Sequence, residues 1–156
     1  MKRVELIADG SCLSNPGPGG WACILRYGKR ERVLQGAAPV TTNNQMELLA
    51  VTMGLRALRE PCEVEVVTDC RYVWDGMTRL LGQWERAGWR NSRGLILPNR
   101  RLWSRLKEAA KQHRITWRWV RGHGTDQQHN RCDRLARAMS YSLLDAAARG
   151  TRQNGS

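Results

Sequence analysis

Val4-Glu5-Leu6-Ile7-Ala8-Asp9-Gly10 alternates with a period of two and runs into Asp-Gly, which marks a half-buried strand closed by a turn. Val64-Glu65-Val66-Val67-Thr68 is a second short β-branched run, and it too ends in an aspartate, Asp69. What lies between and around these two runs decides how they pair. After the turn-rich loop Asn15-Pro16-Gly17-Pro18-Gly19-Gly20, residues 21–27 and 32–38 read as a hairpin about Gly28-Lys29. Three strands in succession predict an antiparallel meander. From Thr42 the period changes to that of a helix. Thr42 and Gln45 have the spacing of a capping box, and Met46, Leu49, Ala50, Met53 and Ala57 mark one helical face that ends near Pro61. Further helices are expected over 72–77, 102–112 and 130–148, a last strand over 115–120, and an irregular stretch with a short helix over 84–98. Strands separated by helices pair in parallel through crossovers, so the order implies an α/β domain whose mixed sheet carries packed helices.

The chain has 156 residues. We read one domain over 1–149 and a disordered tail over 150–156. A chain of this length buries roughly 68–70% of its unfolded surface, enough for a core without disulfides or structural metal. With 41% apolar and 26% charged residues it is neither disordered nor fibrous. It contains no run of 18 apolar residues, and Met1-Lys2-Arg3 leads into a segment broken by Glu5 and Asp9, so no membrane span or signal peptide is expected. Cysteines stand at 12, 23, 62, 70 and 132 with no CxxC pair. That pattern fits neither a disulfide framework nor zinc, and points to a reducing cytoplasm. The formal net charge is +12, and it is unevenly placed. Between Arg86 and Arg137 fourteen bases face only Glu108, Asp126 and Asp133, a net of +11. Such asymmetry is the footprint of a polyanionic partner, nucleic acid above all. A basic surface kept for solubility is the other reading.

In so basic a chain, four acids stand apart. Asp9 and Asp69 end apolar strands that, as parallel neighbours, project their side chains at one carboxyl edge, where α/β sheets bind ligands. Glu47 falls in the first turn of the capped helix and Asp133 opens the last one. Singly, each has a plainer reading: Asp9 as a turn aspartate, Glu47 as a charge on the helix dipole, Asp69 as an N-cap and Asp133 as an exposed helical acid. Together they repel unless a cation sits among them, and hard oxygen ligands suit Mg²⁺ or Mn²⁺.

Asp9-Gly10-Ser11-Cys12, Asn15 to Gly20, Thr42-Asn43-Asn44-Gln45-Met46-Glu47-Leu48, Thr68-Asp69, Trp119-Val120-Arg121-Gly122-His123 and Cys132-Asp133-Arg134-Leu135-Ala136 resemble the bacterial type 1 ribonuclease H family in order and spacing, over about residues 1–140. The resemblance implies a ribonuclease H-like fold, with a five-stranded mixed sheet in order 3-2-1-4-5, its first three strands antiparallel and helices on both faces. It also implies a monomeric endonuclease that cuts the RNA strand of RNA–DNA hybrids, leaving 5′-phosphate and 3′-hydroxyl ends. The family's catalytic and metal-binding carboxylates fall on Asp9, Glu47, Asp69 and Asp133, the same four acids. There two Mg²⁺ ions, with Mn²⁺ a possible substitute, serve an in-line displacement of the kind two metals roughly 3.5–4 Å apart support. His123 matches the family's mobile catalytic histidine, and an unperturbed imidazole is suited to proton transfer near neutrality. A structural histidine is the alternative.

Hybrid recognition needs 2′-hydroxyl contacts on one strand and a test of sugar or phosphate on the other. By resemblance Gly10, Ser11 and Cys12 meet RNA hydroxyls, Asn43 and Asn44 reach the minor groove, and Thr42 with Asn99 holds a DNA phosphate. Asn15, Arg71 and Trp84 complete the expected substrate contacts. Asn43 and Asn44 also read simply as residues opening a helix. Three departures stand out: Arg71 replaces a usual glutamine, Val40 stands where a basic residue is common, and His129-Asn130 replaces Asn-Glu. With seven Trp and no Phe, Trp103, Trp117 and Trp119 are expected in the core. Trp84 and Trp89 are expected in a basic protrusion gripping DNA, here weakened because residues 84–97 carry only +2, with Arg100, Arg101, Arg105, Lys107 and Lys111 compensating nearby. A hybrid-binding module without catalysis, and a nuclease or integrase of the same fold acting on DNA, are the competing readings.

Overall fold

The computed structural model describes residues 1–154, with side chains as far as Ala146; the tail expected over 150–156 lies outside the fully described residues. Five strands, β1 (Lys2–Cys12), β2 (Gly17–Tyr27), β3 (Arg30–Thr41), β4 (Cys62–Thr68) and β5 (Arg114–Trp119), form one sheet in the order β3-β2-β1-β4-β5. The first three are antiparallel, and β4 joins β1, and β5 joins β4, in parallel. That is the mixed topology expected. The helices are α1 (Asn43–Arg56), α2 (Arg71–Asp75), α3 (Leu81–Arg86), α4 (Arg100–Ala110) and α5 (Gln127–Asn154), and a π-helical turn, Gly76–Leu80, links α2 to α3.

Both faces of the sheet are covered, and the period-two alternation sorts the core. Leu6, Ala8, Cys23, Leu25, Val64 and Val66 pack with Leu48, Val51 and Leu55 of α1 and with Trp103 and Leu106 of α4. Ile7, Ala22, Ile24 and Val67, one residue out of phase, pack with Cys132 and Ala136 of α5. Each fully buried Leu, Ile or Val contributes about 1.5–3 kcal/mol, so the larger first layer carries most of the stability. On the other face small side chains let α5 lie close, and the Cys132 thiol donates to the Ala22 carbonyl at 3.2 Å. All five cysteines are free thiols, and burial pushes Cys23 up to about 12. No helix among the described residues is long and apolar enough to cross a membrane.

Several elements differ from the sequence reading. Asp9-Gly10 is no turn: β1 continues to Cys12, and Ser11 and Cys12 pair with Gly20 and Gly19, so that Gly17 to Gly20 of the expected loop are strand. Helix α5 starts at Gln127 rather than Asn130 because the Asp126 carboxylate accepts from the His129 N–H at 2.8 Å and caps it. Trp89 is buried, and with Trp84 it joins Trp103 and Tyr72 in one aromatic cluster; Trp84 lies 5.2 Å from Trp103 and 6.2 Å from Trp89, ring centre to ring centre. Trp119, expected in the core, is 41% exposed.

Candidate active site

The pairing of β1 with β4 ends at Ile7 opposite Val67. Two residues further on, that register sets Asp9 level with Asp69, just where β4 has stopped and its parallel neighbour leaves the carboxyl edge open. Glu47 comes from the facing layer. It is the fifth residue of α1, not part of the first turn, and reaches Asp9 because β1 presents a glycine beneath it. A Cβ on Gly10 would lie 2.6 Å from the Glu47 backbone nitrogen. Gly10→Ala therefore lifts α1 away from β1, and we expect it to lower stability by about 1–3 kcal/mol, the usual range for overpacking. A urea midpoint unchanged from the parent protein would refute the close approach.

Thr42 caps α1, its hydroxyl accepting from the Gln45 N–H at 3.2 Å. The reciprocal half of the expected box is missing. The Gln45 amide instead accepts from the Thr41 hydroxyl and donates to the Asn99 side-chain oxygen at 3.2 Å. Asn99 in turn donates to the Tyr72 hydroxyl. The polar residues of α1 thus tie its N-terminus to the residue that opens α4.

Asp133 is the seventh residue of α5, two turns in rather than at its opening. Its carboxylate takes the Arg137 guanidinium at 3.2 Å, and the same guanidinium lies 3.1 Å from His123 Nε2. A guanidinium only donates, so Nε2 accepts in this arrangement and the imidazole proton sits on Nδ1. The loop that carries His123 rides on Asp69: a Cβ on Gly122 would lie 2.5 Å from Asp69 Oδ2. Trp119 Nε1 donates to the Asp69 carbonyl at 3.2 Å. Asp9, Gly10, Ser11, Cys12, Asn43, Glu47, Asp69, His123 and Asp133 line one open cleft of about 440 Å³.

Electrostatically the cleft is costly as it stands. Asp9 and Glu47 are buried, and Asp9 Oδ2 and Glu47 Oε2 have no hydrogen-bond partner. Burial, reinforced by the neighbouring Asp69 charge, pushes Asp9 up to about 7. Burial and then the Asp9 charge push Glu47 well above the carboxylate range. The native pairing answers neither group, and orphaned acceptors in a polar cleft are what a divalent cation satisfies. His129 is the second unexpected feature. It is 1% exposed, with Nε2 3.5 Å from Asp69 Oδ1. Burial pulls its pKa down, but the carboxylates of Asp69, Asp9 and Asp126 outweigh this and raise it overall.

The RNase H family model matches residues 1–141. The chain belongs to the RNase H family. This RNase H is 49% identical over 148 residues to the Ribonuclease H of Xanthomonas oryzae pv. oryzae strain MAFF 311018, covering 95% of this chain and 99% of the relative. It is 51% identical over 136 residues to that of Erythrobacter litoralis strain HTCC2594, covering 87% and 94%. Among solved structures, LC9-RNase H1, described as a type 1 RNase H with the type 2 active-site motif, superposes with a TM-score of 0.82 at 34% identity, covering 90% of this chain and 72% of that one.

In this RNase H the remaining residues singled out from the sequence are not part of the cleft's lining. Asn15 accepts from the Asn43 N–H at 3.1 Å, fastening the loop after β1 to the start of α1. Asn44 is exposed, with its side-chain oxygen 3.9 Å from the Cys70 sulfur. Arg71 lies between two indoles, 5.4 Å from Trp74 and 5.2 Å from Trp119. Trp84 is partly buried in the aromatic cluster. Val40 is 75% exposed. Sequence reasoning overlooked Arg137 and the placement of His129 beside Asp69. Both leave a trace in the sequence, since His129, Asp133 and Arg137 recur at four-residue intervals along one face of α5.

Proposed function

We propose that this RNase H hydrolyses the RNA strand of RNA–DNA hybrids with two Mg²⁺ ions, leaving 5′-phosphate and 3′-hydroxyl ends, and acts as a monomer in the cytoplasm. What supports the reading above all is the meeting, in one open cleft, of four carboxylates of which the two buried ones keep unpartnered oxygens. Asp9, Glu47, Asp69 and Asp133 are the residues that hold the ions. Divalent ions bound there would supply the charge that offsets these carboxylates and the Lewis acidity for phosphodiester hydrolysis. Mn²⁺ suits the same oxygens.

The chain's own groups do the rest. Arg137 orients Asp133 and holds His123 Nε2 as an acceptor. Swinging free of Arg137, that nitrogen takes a proton from the attacking water and gives it to solvent, and solvent water protonates the departing 3′-oxygen. The backbone of Gly10, Ser11 and Cys12 offers polar groups to RNA hydroxyls. Asn43, Asn44 and Arg71 face the minor groove, and Thr42 with Asn99 holds a DNA phosphate. Stacking on Trp74 and Trp119 fixes the Arg71 guanidinium, so it presents a rigid fork of donors where a glutamine is usual.

A gel assay tests the reading with three labelled substrates (hybrid, RNA duplex and DNA duplex), each with and without EDTA. We expect cleavage of the RNA strand of the hybrid alone, abolished by EDTA. Binding without cleavage would leave the hybrid-binding module, and cutting of duplex DNA the nuclease of other specificity. For His123 we expect His123→Ala to lower kcat by roughly 10–100-fold with KM little changed, at the modest end of general acid–base effects. Loss of melting temperature with an unaltered kcat would mark a structural histidine instead.

A further inference from the structure

We infer that His129 is a nitrogen ligand of the cation held between Asp9 and Asp69, and that it inclines this site toward Mn²⁺ and Co²⁺ over Mg²⁺; the inference rests on the reading of the cleft as a divalent cation site. One ligand atom each from Asp9, Asp69 and His129 lie within 4.8 Å of one another. Ligands about 2.1 Å from one octahedral ion stand about 3–4 Å apart, so a small inward adjustment brings all three onto a single ion. His129 is only 1% exposed, and neither of its ring nitrogens has a hydrogen-bond partner. Its contact with Asp69 Oδ1, at 3.5 Å, is long for a hydrogen bond.

The position is set by backbone rather than chance. Asp126 caps α5 through the His129 N–H, which fixes the first turn of the helix. Four residues on, Asp133 projects from the same helix face into the cleft. Two ligands at i and i+4 on a helix can meet one site. Packing alone accounts poorly for a buried imidazole whose two nitrogens are orphaned and whose Nε2 lies 3.5 Å from a carboxylate oxygen, because an apolar side chain fills the same space without desolvating polar atoms. A metal bond satisfies one of these nitrogens and orphaned carboxylate oxygens together. The selectivity follows from ligand chemistry: Mg²⁺ prefers an all-oxygen shell, whereas imidazole suits the later first-row ions.

The test uses the untagged protein with Mn²⁺ and no nucleic acid. Electron spin-echo modulation of the bound Mn²⁺ detects a directly coordinated imidazole nitrogen. The chain has three histidines, so a His113→Asn/His123→Ala variant leaves His129 alone and keeps the test valid even if His129 itself resists replacement. We expect ¹⁴N modulation in the parent protein and in that double variant, and its loss in His129→Asn. By calorimetry His129→Asn should weaken Mn²⁺ binding roughly tenfold and Mg²⁺ binding by much less. Mn²⁺ binding that depends on Asp9 but shows no nitrogen coupling would overturn the ligand role and leave the cation site standing. Absence of any Asp9-dependent Mn²⁺ binding would overturn both.

Discussion

We expect Asp9→Asn to abolish hybrid cleavage and at the same time to make the metal-free protein more stable above neutral pH. Both effects follow from one buried carboxylate. Asp9 is 2% exposed and shares its cleft with Glu47 and Asp69, and the amide keeps its shape while losing the charge that helps hold the ions. Metal stabilisation of a phosphodiester transition state amounts to several kcal/mol, and each 1.4 kcal/mol is tenfold in rate, so the loss should be about 10³-fold or more. Hybrid binding in Ca²⁺ should remain detectable.

The stability change has a defined pH window. In the fold Asp9 is raised from 3.8 to about 7, so the folded state favours its protonated form. That preference operates fully below about pH 4 and is lost as pH rises through 7, where ionised Asp9 burdens the apo fold by up to about 4 kcal/mol. Asn carries no such burden. Urea denaturation in EDTA should therefore find the variant more stable at pH 8, with its advantage shrinking as pH falls from 7 toward 4. Turnover at the parent rate in Mg²⁺ would sink the metal assignment, and equal stabilities at pH 8 the electrostatic one.

Hybrid binding should weaken steeply with salt. The basic third of the chain is only partly neutralised by the protein's own acids. Lys107 pairs with Glu85, Arg114 with Glu63, Arg118 with Glu5, Glu65 and Asp126, and Arg131 with Glu31. By contrast Arg86, Arg90, Arg93, Arg100, Arg101 and Arg105 are exposed and form no ion pair among the described residues. If three to six such charges meet phosphates, each adding about 0.9 to the log–log slope, the slope magnitude is about 3–6. Affinity then falls roughly 60- to 4,000-fold between about 50 and 200 mM salt. Reversing the charge of Arg100 and Arg101 should take roughly 1–2 from the slope if both touch phosphate. Titrations of a fluorescent hybrid at four salt concentrations measure it; a slope near zero would assign these arginines to solubility alone.

Much of this molecule is written locally. Period-two alternation in β1 and the β-branched run of β4 determine which side chains face α1 and which face α5, because a strand has only two faces to choose from. Each run leads to an aspartate, which already aims Asp9 and Asp69 at one sheet edge. The Thr42 cap, the hairpin about Gly28 and the uneven charge are equally local, each set by a few neighbours in the chain. Tertiary structure decided what depends on distant partners. Whether Asp9-Gly10 turned or ran on depended on β2 being there to pair with Ser11 and Cys12. Trp89 is buried and Trp119 exposed because of which surfaces the helices happened to cover, a matter their own short segments do not encode. Above all, the character of the cleft arises from assembly: Gly10 lets α1 bring Glu47 against Asp9, Gly122 lets the His123 loop settle on Asp69, and the Asp126 cap turns His129 inward. Burial and charge proximity set the protonation of these groups, and both exist only once segments far apart in sequence have packed together.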